Sequence, residues 1–529
     1  MEVAIADETI KQNLEQFLIV LTVSLSVATI SRLFSWLRRI PYTLLLVIVG
    51  LGLAFVNVRL VHLSPELILE IFLPPLLFEA AWNIRWRDLK DSLLPVGFFA
   101  VLGVIISIVG VAFPVSQFTG LSLPVALLLG ASLSATDPVS VVALFRELGA
   151  GKRLTTIMEG ESLFNDGVAV VAFLLLVGIP MGVSEFSVPA TISRFGIFVG
   201  LGAGVGCLVG YGISYLTQRF DFPLVEQSLT LVSAYGTYLI VEELGGSGVI
   251  GVVTVGLILG NFGSRIGMNP RTRLIVSEFW EFLGFFVNSI VFLLIGDQIN
   301  FSSIGKNFDL ILISIASVVL TRAIVIYGLG NFSNLFGGTP LNWRQLTVLW
   351  WGGLRGGVSI ALALSVPVVL QGRQEIIDAV FGVVLFTLLV QGLTTQFFLK
   401  KLDLVGDQPQ RQEYSEFLAR RTALNRVLDY LENIERSPEI DPEFYRYQQH
   451  LVRGEIKSVA EKISSLQSKN PQLRSLDLEQ LREELVDIEA DTYAEYIRAG
   501  RLNHNLSPLL EGILDQAIEK AIEENHIAV

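Results

Sequence analysis

The sequence predicts an all-α polytopic membrane protein: thirteen membrane-spanning helices built as inverted six-helix repeats, followed by a helical water-soluble tail. Three observations carry that class. Of 529 residues, 52% are hydrophobic and 17% charged, mean hydropathy is +0.59, and apolar runs of roughly 20 residues, the length that crosses a bilayer, recur from Phe17 to Leu399. Basic residues alternate in density from loop to loop, as the positive-inside rule requires of a multi-pass chain. Two of the runs are broken by proline or glycine at matching places in the two halves, which points to a transporter built from repeats.

The expected spans, in order, are about 17–37, 41–57, 66–83, 92–114, 121–146, 153–180, 189–217, 224–243, 247–262, 275–298, 308–335, 342–370 and 376–399. The first is too long for a signal-peptide core and lacks a small-residue cleavage pattern, so it reads as a mature span. Composition breaks near Asp403. Residues 1–403 hold 43 of the 47 glycines, whereas 404–529 carry 15 basic and 24 acidic side chains, a net charge of −9. Apolar residues at helical spacing in Tyr414 to Ile434 and Ser475 to Ile497 make that tail amphipathic and helical.

One set of alternate loops holds Arg38, Arg39, Arg85, Arg87, Lys90, Arg146, Lys152, Arg153, Arg219, Arg265, Arg271, Arg273, Arg344, Lys400 and Lys401; the other holds only Lys11, Arg59, Lys306 and Arg373. The imbalance places the N-terminus outside a cell membrane and the acidic tail in the cytoplasm. The lone Cys207 rules out disulfides within the chain. His62, His450, His504 and His526 all fall outside the apolar runs, so a proton moving at membrane depth must ride on a carboxylate.

The sixth span opens with Gly160-Glu161-Ser162-Leu163-Phe164-Asn165-Asp166. A carboxylate at the centre of a membrane helix costs about 2.5–3.5 kcal/mol on insertion scales and usually faces a cavity, a partner or an ion. On a helix Glu161 and Asn165 share one face and Ser162 and Asp166 the next, the outline of a cation site. The fifth span carries Ser134-Ala135-Thr136-Asp137-Pro138-Val139-Ser140, where Pro138 removes a backbone donor and breaks the helix. The twelfth carries Gly352-Gly353-Leu354-Arg355-Gly356-Gly357. Broken helices present half-helix ends, and Asp137 and Arg355 have the signs that offset them. Gly202, Gly206 and Gly210 in the seventh span are a helix-packing stripe. Trp82, Trp86, Trp343 and Trp351 read as interfacial anchors.

The segments Ala135-Thr136-Asp137-Pro138, Glu159-Gly160-Glu161-Ser162-Leu163-Phe164-Asn165-Asp166-Gly167 and Gly352-Gly353-Leu354-Arg355-Gly356-Gly357 together resemble NhaP-type sodium/proton exchangers of the cation/proton antiporter family, over roughly Phe17 to Lys400. The resemblance implies a homodimer with a mobile core (about 92–180 and 308–399) and a dimerisation domain (about 17–83 and 189–298) around two crossed, unwound helices. By position it implies Asp166 as the carboxylate that carries ion or proton, Asn165 beside it where electrogenic relatives have a second aspartate, and Ser162, Thr136 and Glu79 as further ligands. It also implies that Glu161 pairs with Arg322, in Val319-Leu320-Thr321-Arg322-Ala323, as a structural bond between helices.

Oxygen ligands suit a small hard cation. Burial disfavours the charged form of a carboxylate and a bound cation favours it, so proton and cation compete for one group. Exchange follows if the core moves only when that group is neutralised. With Asn165 unable to titrate, one proton for one sodium (or lithium) is the expected stoichiometry, and the exchange is electroneutral. A potassium/proton antiporter of the same fold and a sodium-coupled solute symporter are the alternatives. A channel would need a selectivity loop, and the tail has no Walker motif for a pump. No enzyme activity, cofactor or nucleic-acid partner is expected; the partners are the two ions, the bilayer and a second copy.

Overall fold

Long apolar runs bounded by proline, glycine and asparagine fold here as helices. The computed structural model describes residues 2–34, 37, 40–56, 60, 64–182, 187–218, 222–264, 267–299, 301–336, 340–405, 408–434 and 442–469, with single residues between 485 and 513, and among these there is no strand. Contacts divide the chain into two units, Met1–Leu404 and Val405–Val529.

In the first unit the helices are α1 (Glu2–Leu33), α2 (Tyr42–Phe55), α3 (Leu73–Asn83, entered through a π-helical turn at Leu67–Phe72) and α4 (Leu93–Phe118). There follow α5a (Leu123–Ser132), α5b (Val139–Leu148), α6 (Lys152–Leu176), α7 (Val188–Thr217), α8 (Pro223–Glu243), α9 (Gly248–Ile258) and α10 (Pro270–Asp297). The unit closes with α11 (Phe308–Ser333), α12a (Trp343–Trp351), α12b (Gly357–Leu364) and α13 (Arg373–Lys401). Short helices at Trp86–Lys90 and Phe301–Lys306 lie between. By length and apolar composition α4, α7, α10, α11 and α13 are each sufficient to cross a membrane.

Local chemistry explains the boundaries. Asn269 and Asn342 cap α10 and α12a by accepting the backbone N–H of Thr272 (2.8 Å) and Gln345 (2.9 Å). Gly149 ends α5b in the left-handed conformation, φ 67°, that a side chain resists. Helix α1 starts well before the expected Phe17. Among the described residues four π-helical turns, at Leu67–Phe72, Phe98–Leu102, Leu259–Gly263 and Thr387–Gly392, interrupt otherwise continuous helices; hydrophobic periodicity does not reveal them.

Glycines set the closest helix contacts. A Cβ at Gly202 or Gly206 of α7 would come within 2.7 Å of the Ser247 or Gly251 carbonyl, so the glycine stripe packs against the start of α9. Trp82 corrects its interfacial assignment: it is 5% exposed, stacks on Phe78, and donates to Ser277 at 3.0 Å. Trp351 likewise donates to Thr394 at 2.8 Å, whereas Trp86 and Trp343 stay exposed.

The second unit contains α14 (Gln408–Ile434) and α15 (Pro442–Lys469), an antiparallel pair closed over Tyr414, Val459 and Ile463. The helix expected at Ser475 to Ile497 lies, single residues apart, outside the described residues, as do Arg38, Arg39, Arg59, Arg219, Arg265, His62, His504 and His526.

Candidate ion-binding site

Proline and glycine leave two helices unwound, and the two gaps meet. Residues 133–138 between α5a and α5b and 352–356 between α12a and α12b are not helical. The Asp137 N–H donates to the Leu354 carbonyl at 2.9 Å, and the Ser359 hydroxyl donates to the Ala135 carbonyl at 3.3 Å. Backbone groups freed by the breaks are thereby satisfied inside the protein, as low-dielectric surroundings demand.

Charges sit at the half-helix ends. The Asp137 carboxylate accepts the Val139 N–H at 3.1 Å, at the positive N-terminus of α5b. Arg355, 2% exposed, donates from Nη1 to the Gly353 carbonyl at 3.1 Å, just past the negative end of α12a. Arg322 reaches the same end from α11, donating to the Trp350 carbonyl (3.2 Å) and the Leu349 carbonyl (3.0 Å). Its remaining donors form a forked pair with Glu161, Nη1–Oε1 2.8 Å and Nη2–Oε2 3.2 Å. Arg322 thus joins α6, α11 and the end of α12a, and the sequence reading, which gave α12a's compensation to Arg355 alone, missed half of it.

Helix α6 runs past the gap in α5. Ser162 donates its hydroxyl to the Thr136 carbonyl, and the Asn165 amide donates to Thr136 Oγ1 at 3.2 Å. Asp166 follows on the same helix, 8% exposed, with Asn165 at 3%, Ser162 at 5% and Thr136 at 4%. Oδ1 of Asp166 and Oδ1 of Asn165 are buried without a hydrogen-bond partner, an expensive condition for an acceptor unless a proton or cation meets it. Asp137 and Arg355 both lie within electrostatic reach of Asp166.

Beside these residues lies a cavity of about 430 Å³. Asp166, Ser162 and Asp137 line one part of its wall and Glu79 of α3 another. Glu79 accepts from Asn83 at 2.6 Å. Thr136, Asn165, Glu161, Arg322 and Arg355 are not among the lining residues. The wall also holds Glu159, Arg146 and Glu281, to which the sequence analysis assigned no part in the ion site. Glu159 was legible: it precedes Ser162 by three residues and Asp166 by seven, the spacing of one helical face. Glu281, on another helix, left no such signal.

A profile of the transmembrane sodium/hydrogen exchangers matches residues 21–401. The chain belongs to that family. Its members are transporters rather than enzymes, and the exchanger resemblance carried by the three sequence motifs is borne out. This exchanger is 68% identical over 515 residues to the Na(+)/H(+) antiporter ApNhaP of Aphanothece halophytica, covering 97% of this chain and 99% of the relative. It is 62% identical over 506 residues to the low-affinity Na(+)/H(+) antiporter NhaS1 of Synechocystis, covering 95% and 96%. Among solved structures, the sodium proton antiporter MjNhaP1 of Methanocaldococcus jannaschii shares the fold with a TM-score of 0.61 at 21% identity, covering 74% of this chain and 99% of that one.

Proposed function

We propose that this chain exchanges sodium, and lithium, for protons across the cell membrane, one for one, with both ions competing for Asp166. The observation that carries the reading is the Asp166 carboxylate: removed from water, one oxygen without a hydrogen-bond partner, and on the wall of a cavity. Such a group needs a positive companion, and either a proton or a cation supplies it. Ser162, Thr136 and Glu79 complete an oxygen set for sodium; Ser162 and Thr136 are now bonded to each other and would turn toward the ion as it arrives. The names of the relatives from Aphanothece halophytica and Synechocystis, both Na(+)/H(+) antiporters, support sodium and protons as the exchanged ions.

In the proposed cycle α4–α6 and α11–α13 form a core that carries Asp166 past α1–α3 and α7–α10, the scaffold of a homodimer, in an elevator-type movement. Thirteen crossings put the N-terminus outside and the tail in the cytoplasm. The core moves when Asp166 holds a proton or a sodium ion and stays when it is bare, because an unpaired charge is costly to carry through the apolar interior. Alternation of the two occupants is exchange, driven by the gradients alone. In everted vesicles with an acid interior, added sodium or lithium is expected to collapse the acidity; no response to any monovalent cation overturns the proposal.

A further inference from the structure

Two ion pairs in this protein contrast in build. Glu161–Arg322 is forked and nearly dry, with 2% and 6% of the side chains exposed. Arg146–Glu159 makes one contact, Nη2–Oε1 at 2.6 Å, with 63% of the arginine side chain and 19% of the glutamate exposed. The first geometry holds helices together; the second is easily opened, since a pair with one partner in water is weakly held.

We propose that Arg146–Glu159 is a displaceable gate on the cavity, in which the guanidinium occupies the carboxylate that an arriving cation uses as its first stop on the way to Asp166. This rests on the exchange reading and adds to it the residues that set cation access. Three observations carry it. The described lining of the cavity holds the carboxylates of Glu79, Asp137, Glu159, Asp166 and Glu281, with Arg146 its one basic side chain. Positive charge at that position opposes the cation that the other five attract. Glu159, Ser162 and Asp166 stand on one face of α6, so a cation released from Glu159 has about two helical turns, roughly 10 Å, to travel along a wall of oxygens. Arg146 sits in the last turn of α5b, the half-helix whose first turn is held by Asp137; it also lies within electrostatic reach of Glu79 on α3. Opening the pair frees Glu159 and removes the repulsion together.

The expected signature is a pair of opposite effects on sodium affinity. In everted vesicles at low ionic strength, Arg146→Gln lowers the apparent KM for sodium by roughly threefold to tenfold, and Glu159→Gln raises it by a similar factor. Glu159→Asp, which keeps the charge, recovers most of the lost affinity. Raising ionic strength with a salt that is not transported narrows all of these differences. Arg344→Gln, an exposed arginine paired loosely with Asp403 at 3.8 Å elsewhere, leaves KM unchanged. A merely structural tether gives a different pattern: both neutral variants lose activity in the same direction, and less protein elutes as a single species from detergent gel filtration. That pattern, or a KM unmoved in Arg146→Gln, overturns the gate while wild-type exchange stands. Absence of wild-type exchange removes the functional reading and the gate with it.

Discussion

The backbone N–H of Asp137 is bonded to the carbonyl of Leu354 at 2.9 Å, so the two unwound segments are joined main chain to main chain beside Asp166. Such an approach excludes side chains from the glycines around it. A Cβ at Gly356 would run into the Asp137 carboxylate, and one at Gly353 into the Arg322 guanidinium. At Gly356 φ is −144°, so bulk, not backbone conformation, is what the position forbids.

Gly356→Ala is therefore expected to push the segments apart, with loss of sodium-driven exchange and a lowered melting temperature in detergent. The overlap is with a short, fixed carboxylate, and overpacking of this kind costs about 1–3 kcal/mol. Wild-type melting and transport in Gly356→Ala would show that the segments need not touch.

Asp166→Asn keeps the shape of the side chain and removes its charge. Exchange is expected to fall to background while the protein still inserts and purifies as the wild type does. In the wild type, the proposed competition of one proton with one cation is expected to make the apparent KM for sodium climb as pH falls, approaching about tenfold per pH unit where the proton dominates. A KM for sodium independent of pH, measured across the acid range, contradicts shared occupancy of a single carboxylate.

What the sequence disclosed follows from cost. Asp166, Asn165 and Glu161 stood out because polar groups in an apolar run need a partner, and Pro138 and the glycines around Arg355 marked the breaks because they remove donors or side chains. Pairings between distant segments were legible only through the exchanger resemblance: nothing local to Arg322 shows that it would serve Glu161 and the α12a carbonyls together. Asp378 illustrates the remainder. It is 4% exposed and bonded by Ser303, Asn307 and Gln374, a satisfied buried carboxylate that looks in sequence much like one waiting for an ion. The absence of a hydrogen bond on Asp166 Oδ1, which distinguishes the two, is a property of three dimensions.

Removing one partner of the Glu161–Arg322 pair leaves a buried charge without compensation. Arg322→Gln and Glu161→Gln are each expected to cost about 3–5 kcal/mol, seen as low yield and a depressed melting temperature, and the double variant less than the sum. Arg322→Gln suffers more, because the Leu349 and Trp350 carbonyls lose their donors as well. Additive losses in the double variant would mean that the two residues act apart.

In the proposed exchange Asn165 sets the charge carried per cycle. Its Nδ2 donates to Thr136 Oγ1, which fixes the amide and leaves Oδ1 buried and unpartnered. An amide accepts a hydrogen bond or a cation but does not take up a proton near neutral pH. The proposed site therefore has one exchanging carboxylate, one positive charge moves each way, and no net charge crosses the membrane. Initial exchange rates in proteoliposomes are accordingly expected to stay constant when a potential is imposed with a potassium gradient and valinomycin, at fixed sodium and proton gradients. A potential of about 100 mV acts on each net charge moved with about 2.3 kcal/mol, so a rate that shifts clearly with potential in the wild type refutes one-for-one exchange. Asn165→Asp places a second ionisable group where the amide stands, and its exchange is expected to become potential-dependent.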